Sequence, residues 1–111
     1  MLYTVHQINL TRDDIDAINA GGETPESYYR YVHARLDPTP DRIAAAWNAG
    51  DYAPACRIEA GSLDGVFEVG NIGPEESIER LGVMHSVSVG DVIEDPDGNR
   101  HFVADFGFEE C

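Results

Sequence analysis

The sequence predicts a small α+β domain: a small antiparallel sheet with a C-terminal hairpin, packed by three to four short helices. Three observations predict it. Stretches of period-two alternation near both ends read as strands. Repeated cap-then-proline and cap-then-acid signals in the first half read as helix starts. The 111 residues contain no internal repeat and no low-complexity linker, so residues 1–111 form a single domain, which at this length buries about two-thirds of its unfolded surface.

Residues 2–10 alternate, with Leu2, Thr4, His6 and Ile8 against Tyr3, Val5 and Gln7, and form the first strand. Thr11 is an N-cap, and Asp13 and Asp14 sit in the first turn, where the helix dipole favours negative charge. Ile15 and Ile18 give that helix an apolar face, and Gly21-Gly22 end it. Thr24 caps a second helix with Pro25 at its first position. Its body is Glu26 to Leu36, with Tyr28, Val32 and Leu36 or Arg35 on one face and Tyr31 beside it. Asp37-Pro38 stops it. Thr39, Pro40 and Asp41 start a third helix, which buries Ile43, Ala44, Ala46 and Trp47 and closes at Gly50.

A second strand falls between Tyr52 and Ala60. Ser62 caps a short helix with Leu63, Val66 and Phe67 on one side. The stretch Gly73 to Leu81 reads as a turn followed by one or two helical turns, burying Ile78 and Leu81. Met84, Val87, Val89, Val92 and Ile93 then alternate with polar residues as a strand, broken at Gly90-Asp91. Asp95-Pro96-Asp97-Gly98-Asn99 is turn chemistry throughout, and Phe102, Val103, Phe106 and Phe108 form the returning apolar run of a hairpin.

The stretch Ser86-Val87-Ser88-Val89-Gly90-Asp91-Val92-Ile93, an acidic turn, and then Phe102-Val103-Ala104-Asp105-Phe106-Gly107-Phe108-Glu109 resembles the C-terminal signature of YodL-like domains. These are small modules of phages and conjugative elements. The whole chain also resembles small proteins of actinobacterial phages. The resemblance covers about the last quarter of the chain and implies a mobile-element origin. It carries no activity, and so transfers no catalytic residue. His101-Phe102 stands where known members tend to have a more aromatic strand.

Charge is the other strong signal. There are 21 acids against 7 arginines, with no lysine, for a net charge of −14. Residues 1–55 contribute −4 and residues 56–111 contribute −10, which predicts a one-sided acidic surface. Without a basic patch, direct binding to nucleic acid is not expected, and an anionic membrane surface repels such a chain. No run is long enough to span a membrane. The first residues lack a signal peptide's basic start and apolar core, so a cytoplasmic location in the host cell is expected. GC-rich coding or halophilic adaptation is the competing explanation of the missing lysine. Cys56 and Cys111 fit a reducing compartment, with no disulfide between them.

No cofactor is expected. The turn at Asp95 resembles a calcium loop, but its glycine comes too early and Phe106 stands where the bidentate glutamate belongs. His6, His33, His85 and His101 lack zinc spacing. His85 and His101 flank the hairpin strands; facing one another beside Asp105, they are the one arrangement that would suit an enzyme. Ser86 and Ser88 lack a nucleophile elbow. The expectation is therefore not an enzyme. It is a phage-encoded acidic inhibitor of a basic, nucleic-acid-binding host defence protein, of anti-CRISPR or anti-restriction type, with carboxylates standing in for phosphates. The partner-binding residues it names are Glu68, Glu75, Glu76, Glu79, Asp91, Glu94, Asp95 and Asp97, with Tyr28 and Tyr31 as aromatic anchors. The alternative is a non-catalytic phage accessory module that binds through the tyrosine helix or the hairpin.

Overall fold

The computed structural model describes residues 1–21 and 24–111. Their order is β1 (Leu2–Ile8), α1 (Arg12–Asn19), α2 (Glu26–Leu36), α3 (Pro40–Asn48), β2 (Tyr52–Glu59), α4 (Leu63–Ile72), a 3₁₀ turn (Glu75–Ser77), β3 (Ile78–Arg80), β4 (Val92–Glu94), β5 (Arg100–Val103) and β6 (Phe108–Glu110). The six strands make one antiparallel sheet in the order β3-β2-β1-β4-β5-β6. The expected α+β class is the observed one.

The alternation of β1 sorts the core to two faces, as a period of two must. Tyr3 and Val5 join Cys56, Ile58, Ile93 and Val103 against Val66 of α4 and Val87. Ile8 joins Val92, Phe102 and Ala104 against Ala34 of α2 and Ile43 and Ala46 of α3. Helices therefore cover both faces. The β1–β2 register shifts between Val5 and His6. The shift lies beside Pro54, which has no N–H for a ladder.

The caps largely follow the sequence. The Thr11 hydroxyl accepts from the Asp14 amide while the Asp14 carboxylate accepts from the Thr11 amide, a reciprocal capping box. Those bonds hold the Asp14 carboxyl below its ordinary pKa. Thr39 and Ser62 cap α3 and α4 by accepting from Arg42 and Gly65. Gly21 follows α1 at φ +74°; Gly22 lies outside the described residues. The boundary of α2 moves by one: Pro25 is its N-cap position, with no side-chain cap from Thr24.

Several expectations are corrected, among them the burial of Ala44 and Leu81, both exposed. The inner face of α2 is Tyr31 and Ala34, not Tyr28, Val32 and Leu36; Ala34 is fully buried and Leu36 is 75% exposed. Residues 73–81 hold one 3₁₀ turn and then the edge strand β3 rather than a helix. Residues 84–89 are not a strand, because side-chain bonds draw them off the ladder. Phe106 does not join the core; it is 96% exposed in the turn between β5 and β6, where Ala104 N–H meets Gly107 C=O at 2.9 Å.

Candidate functional site

The strand register gathers strand ends of one kind at one end of the sheet. Ile78 lies opposite Ile58, Leu2 opposite Glu59, Glu94 opposite both Thr4 and Arg100, and His101 opposite Glu110. This end therefore carries, in order across the sheet, Glu75 and Glu76, then Glu59, then the turn Glu94-Asp95-Asp97, then Glu110. At about 4.8 Å per strand, the row spans roughly 24 Å.

Pairing divides the expected residues. Glu75 accepts two bonds from one Arg80 guanidinium nitrogen, both 3.1 Å. Glu79 meets Arg57 at 3.8 Å, so neither is a free charge. The Glu94 carboxylate meets His6 at 3.3 Å. Glu68, Glu76, Asp97, Glu109 and Glu110 are exposed and have no ion-pair partner among the described residues. Glu68 stands apart from the row, on α4. Asp95 shapes the turn: its carboxylate accepts from the Asp97 amide and from the Asn99 amide and side chain. Slight desolvation opposes these bonds, but together they hold its pKa down.

The cations at this end are occupied. The Met1 amino group sits 3.0 Å from Glu59. Arg100 lies over the Trp47 ring at 4.4 Å. Trp47 is a half-buried hub, meeting His6 edge-on at 4.9 Å and Tyr52 at 5.6 Å. Glu59, Glu109 and Glu110 were missed by sequence reading. The signal for them is positional: each sits at or near a strand end, but only register shows which ends coincide.

Asp91 is a correction. It is 2% exposed and offers nothing to a partner. Its Oδ2 accepts from Gln7 Nε2 at 3.0 Å and from the Ser88 amide at 2.9 Å. Gln7, fully buried, also donates to His85 C=O at 2.9 Å and accepts from His85 N–H at 3.2 Å. This network pulls residues 85–88 against β1 and away from β4. Burial raises the Asp91 pKa from an ordinary 3.8 to about 6, against the opposing pull of the Ser88 amide and the Gln7 side chain.

A pH dependence follows. With the folded pKa raised, this group's contribution to stability is fully present below about pH 4 and is lost as pH rises through about 6. Asp91→Asn keeps an acceptor for both bonds without the buried charge. It is expected to stabilise the fold by about 2 kcal/mol near pH 7 and to flatten the decline between pH 4 and 7. Urea unfolding of both proteins across that range checks it; equal slopes would refute it.

Tyr28 and Tyr31 are half-buried and Tyr29 is 51% exposed. Tyr31 packs on the α2–α3 core, with Arg35 over its ring at 5.4 Å, so it is structural first. His85 and His101 do not face each other. His101 is paired with Ile93 and Glu110 on β5, while His85 lies off the ladder beside Gln7. Cys56 is buried, its thiol pushed up to about 11 by burial, and Cys111 is exposed; both are free. Among the described residues no group of three His, Cys, Asp or Glu is placed to hold a metal ion, and no helix is long and apolar enough to cross a membrane. No family model matches the chain, and no curated protein or solved structure does.

Proposed function

We propose that the protein is an acidic inhibitor that occupies a basic, nucleic-acid-binding surface of a host protein in place of the nucleic acid. The observation that carries this is the row of carboxylates across one sheet end, in which Glu76, Asp97 and Glu110 have no cationic partner among the described residues. Glu76 in the 3₁₀ turn, Asp97 in the β4–β5 turn and Glu110 at the end of β6 are brought to one end of the sheet by the strand order, and a basic channel built for phosphates steers towards such a row. The net charge of −14 adds long-range attraction. The resemblance of the C-terminal stretch to YodL-like domains implies a mobile-element origin, which fits a host protein as the target.

The test is capture from host lysate. A nucleic-acid-binding protein should be retained at low salt, displaced by duplex DNA, and released at about 0.5 M salt, where the Debye length is only a few Å. The triple variant Glu76→Gln, Asp97→Asn, Glu110→Gln should lose that capture. The control Asp13→Asn, Asp16→Asn, Asp64→Asn removes the same charge elsewhere and should keep it. A captured protein indifferent to DNA and salt would sink the proposal and favour the accessory-module reading, with binding through the tyrosine helix or the hairpin.

A further inference from the structure

We infer that the open edge of β3, with the cleft behind it, takes an extended basic segment of a partner protein as a seventh strand. The inference deepens the reading just given and rests on it for the partner's basic character. It begins with register. Arg57 lies opposite Glu79, and Leu81 N–H donates to Ala55 C=O at 2.9 Å. Residues 79 and 81 thus turn their backbone groups towards β2, and Arg80 between them turns its N–H and C=O outward. An edge strand with outward N–H and C=O groups is a template for strand addition.

Behind this edge is a cleft of about 370 Å³, bounded by the end of α4, by Ile78 and Arg80, and by residues 84–86. Ile72, which borders it, is 83% exposed, and Val83, one residue before Met84 of its lining, is 82% exposed. Its interior asks for a donor. His85 Nδ1 lies 2.8 Å from Ser86 C=O. A carbonyl only accepts, so Nδ1 carries the proton and the Nε2 of a neutral ring is left as an acceptor. Nε2 is buried and without a partner. The last carbonyls of α4 beyond Val69 also border the cleft, at the negative end of that helix. Arg80 is already neutralised by Glu75.

An acceptor nitrogen, open carbonyls and a helix C-terminus together select an N–H-bearing cation, that is, one arginine or lysine side chain of the added strand. Its apolar neighbours would cover Ile72 and Val83. A second copy of this chain is the wrong occupant, since two bodies of charge −14 repel.

The test uses ¹⁵N-labelled protein and a short capped peptide of alternating arginine and valine. A control peptide of the same sequence is methylated on alternate backbone nitrogens, which keeps its charge and prevents strand pairing. Binding of the first should shift the amides of Glu79, Arg80, Gly82 and Asn71 and protect the Arg80 amide from exchange. The methylated peptide should bind roughly tenfold more weakly, the worth of one or two hydrogen bonds. Ile72→Ser with Val83→Ser, at positions too exposed to threaten folding, should weaken the first peptide alone. Equal binding of the two peptides, with shifts confined to Glu94–Asp97, would overturn the edge site and leave the acidic row as the docking surface. No binding of either peptide, with DNA-sensitive capture intact, would also overturn the edge site and leave the proposed function standing.

Discussion

Gly90→Ala is expected to cost about 4 kcal/mol or more and to leave little native protein at 37 °C. Gly90 has φ +92°, and a Cβ there would lie 2.3 Å from Ala34 C=O oxygen and 2.8 Å from its carbon. Those are backbone atoms of α2, so no rotamer change relieves the clash; the helix would have to back off the sheet. The residue is also tied by hydrogen bonds. Its N–H donates to Val103 C=O at 2.8 Å, and its C=O accepts from the Tyr52 hydroxyl at 2.6 Å. Burial raises that phenol's pKa, with Asp91 adding to the shift. Gly98→Ala is the control: φ is +87° but nothing lies within 4 Å of its Cβ, so only the backbone penalty of about 1 kcal/mol applies. Thermal and urea melts of the two variants separate steric approach from left-handed strain. Similar losses would show that Ala34 yields freely.

Gln7→Leu is expected to destabilise by about 3–5 kcal/mol, close in volume though it is. The leucine would leave His85 N–H, His85 C=O and part of the Asp91 carboxylate without partners in a site where Gln7 is 0% exposed. Each orphaned buried group costs about 1–3 kcal/mol. The loss should shrink in the Asp91→Asn background, since less charge is then left unsolvated, and the non-additivity measures the coupling. A loss below about 1 kcal/mol would mean that water replaces the amide, and that the network does not hold residues 85–88 in place.

These two residues also mark the limit of what the sequence discloses. Helix starts at Thr11, Thr39 and Ser62 were legible, because a cap hydroxyl and its target amide lie three residues apart. So were β1, β2 and the β4–β5 hairpin, whose turn chemistry is local. Gln7 falls on the Tyr3 and Val5 side of an alternating strand, and nothing nearby in the chain marks it as a hub. Its partners are 78 and 84 residues away, and no local pattern encodes them. Distance also hid the burial of Asp91: a carboxylate after a glycine reads as a surface turn until Gln7, 84 residues away, is brought to it. Residues 84–89 alternate well enough for a strand, but period two states only which side chains share a face, not whether a ladder is present. At the acidic end, Glu94, Asp95 and Asp97 were legible as a turn cluster. Their alignment with Glu59, Glu76 and Glu110 depends on strand order, as does the neutralisation of Glu75 and Glu79 by Arg80 and Arg57.

The place of β1 in the sheet has a kinetic consequence. It lies between β2 and β4, so the first strand made is completed by segments that leave the ribosome much later. One side waits for residues 52–59 and the other for residues 92–94. Both closures span long loops, whose entropy must be met before either ladder offsets it. Until then Tyr3, Val5 and Ile8 stand on a strand with both edges open, the arrangement most prone to pairing between chains. Like-charge repulsion between nascent copies of so acidic a chain opposes that encounter during the interval.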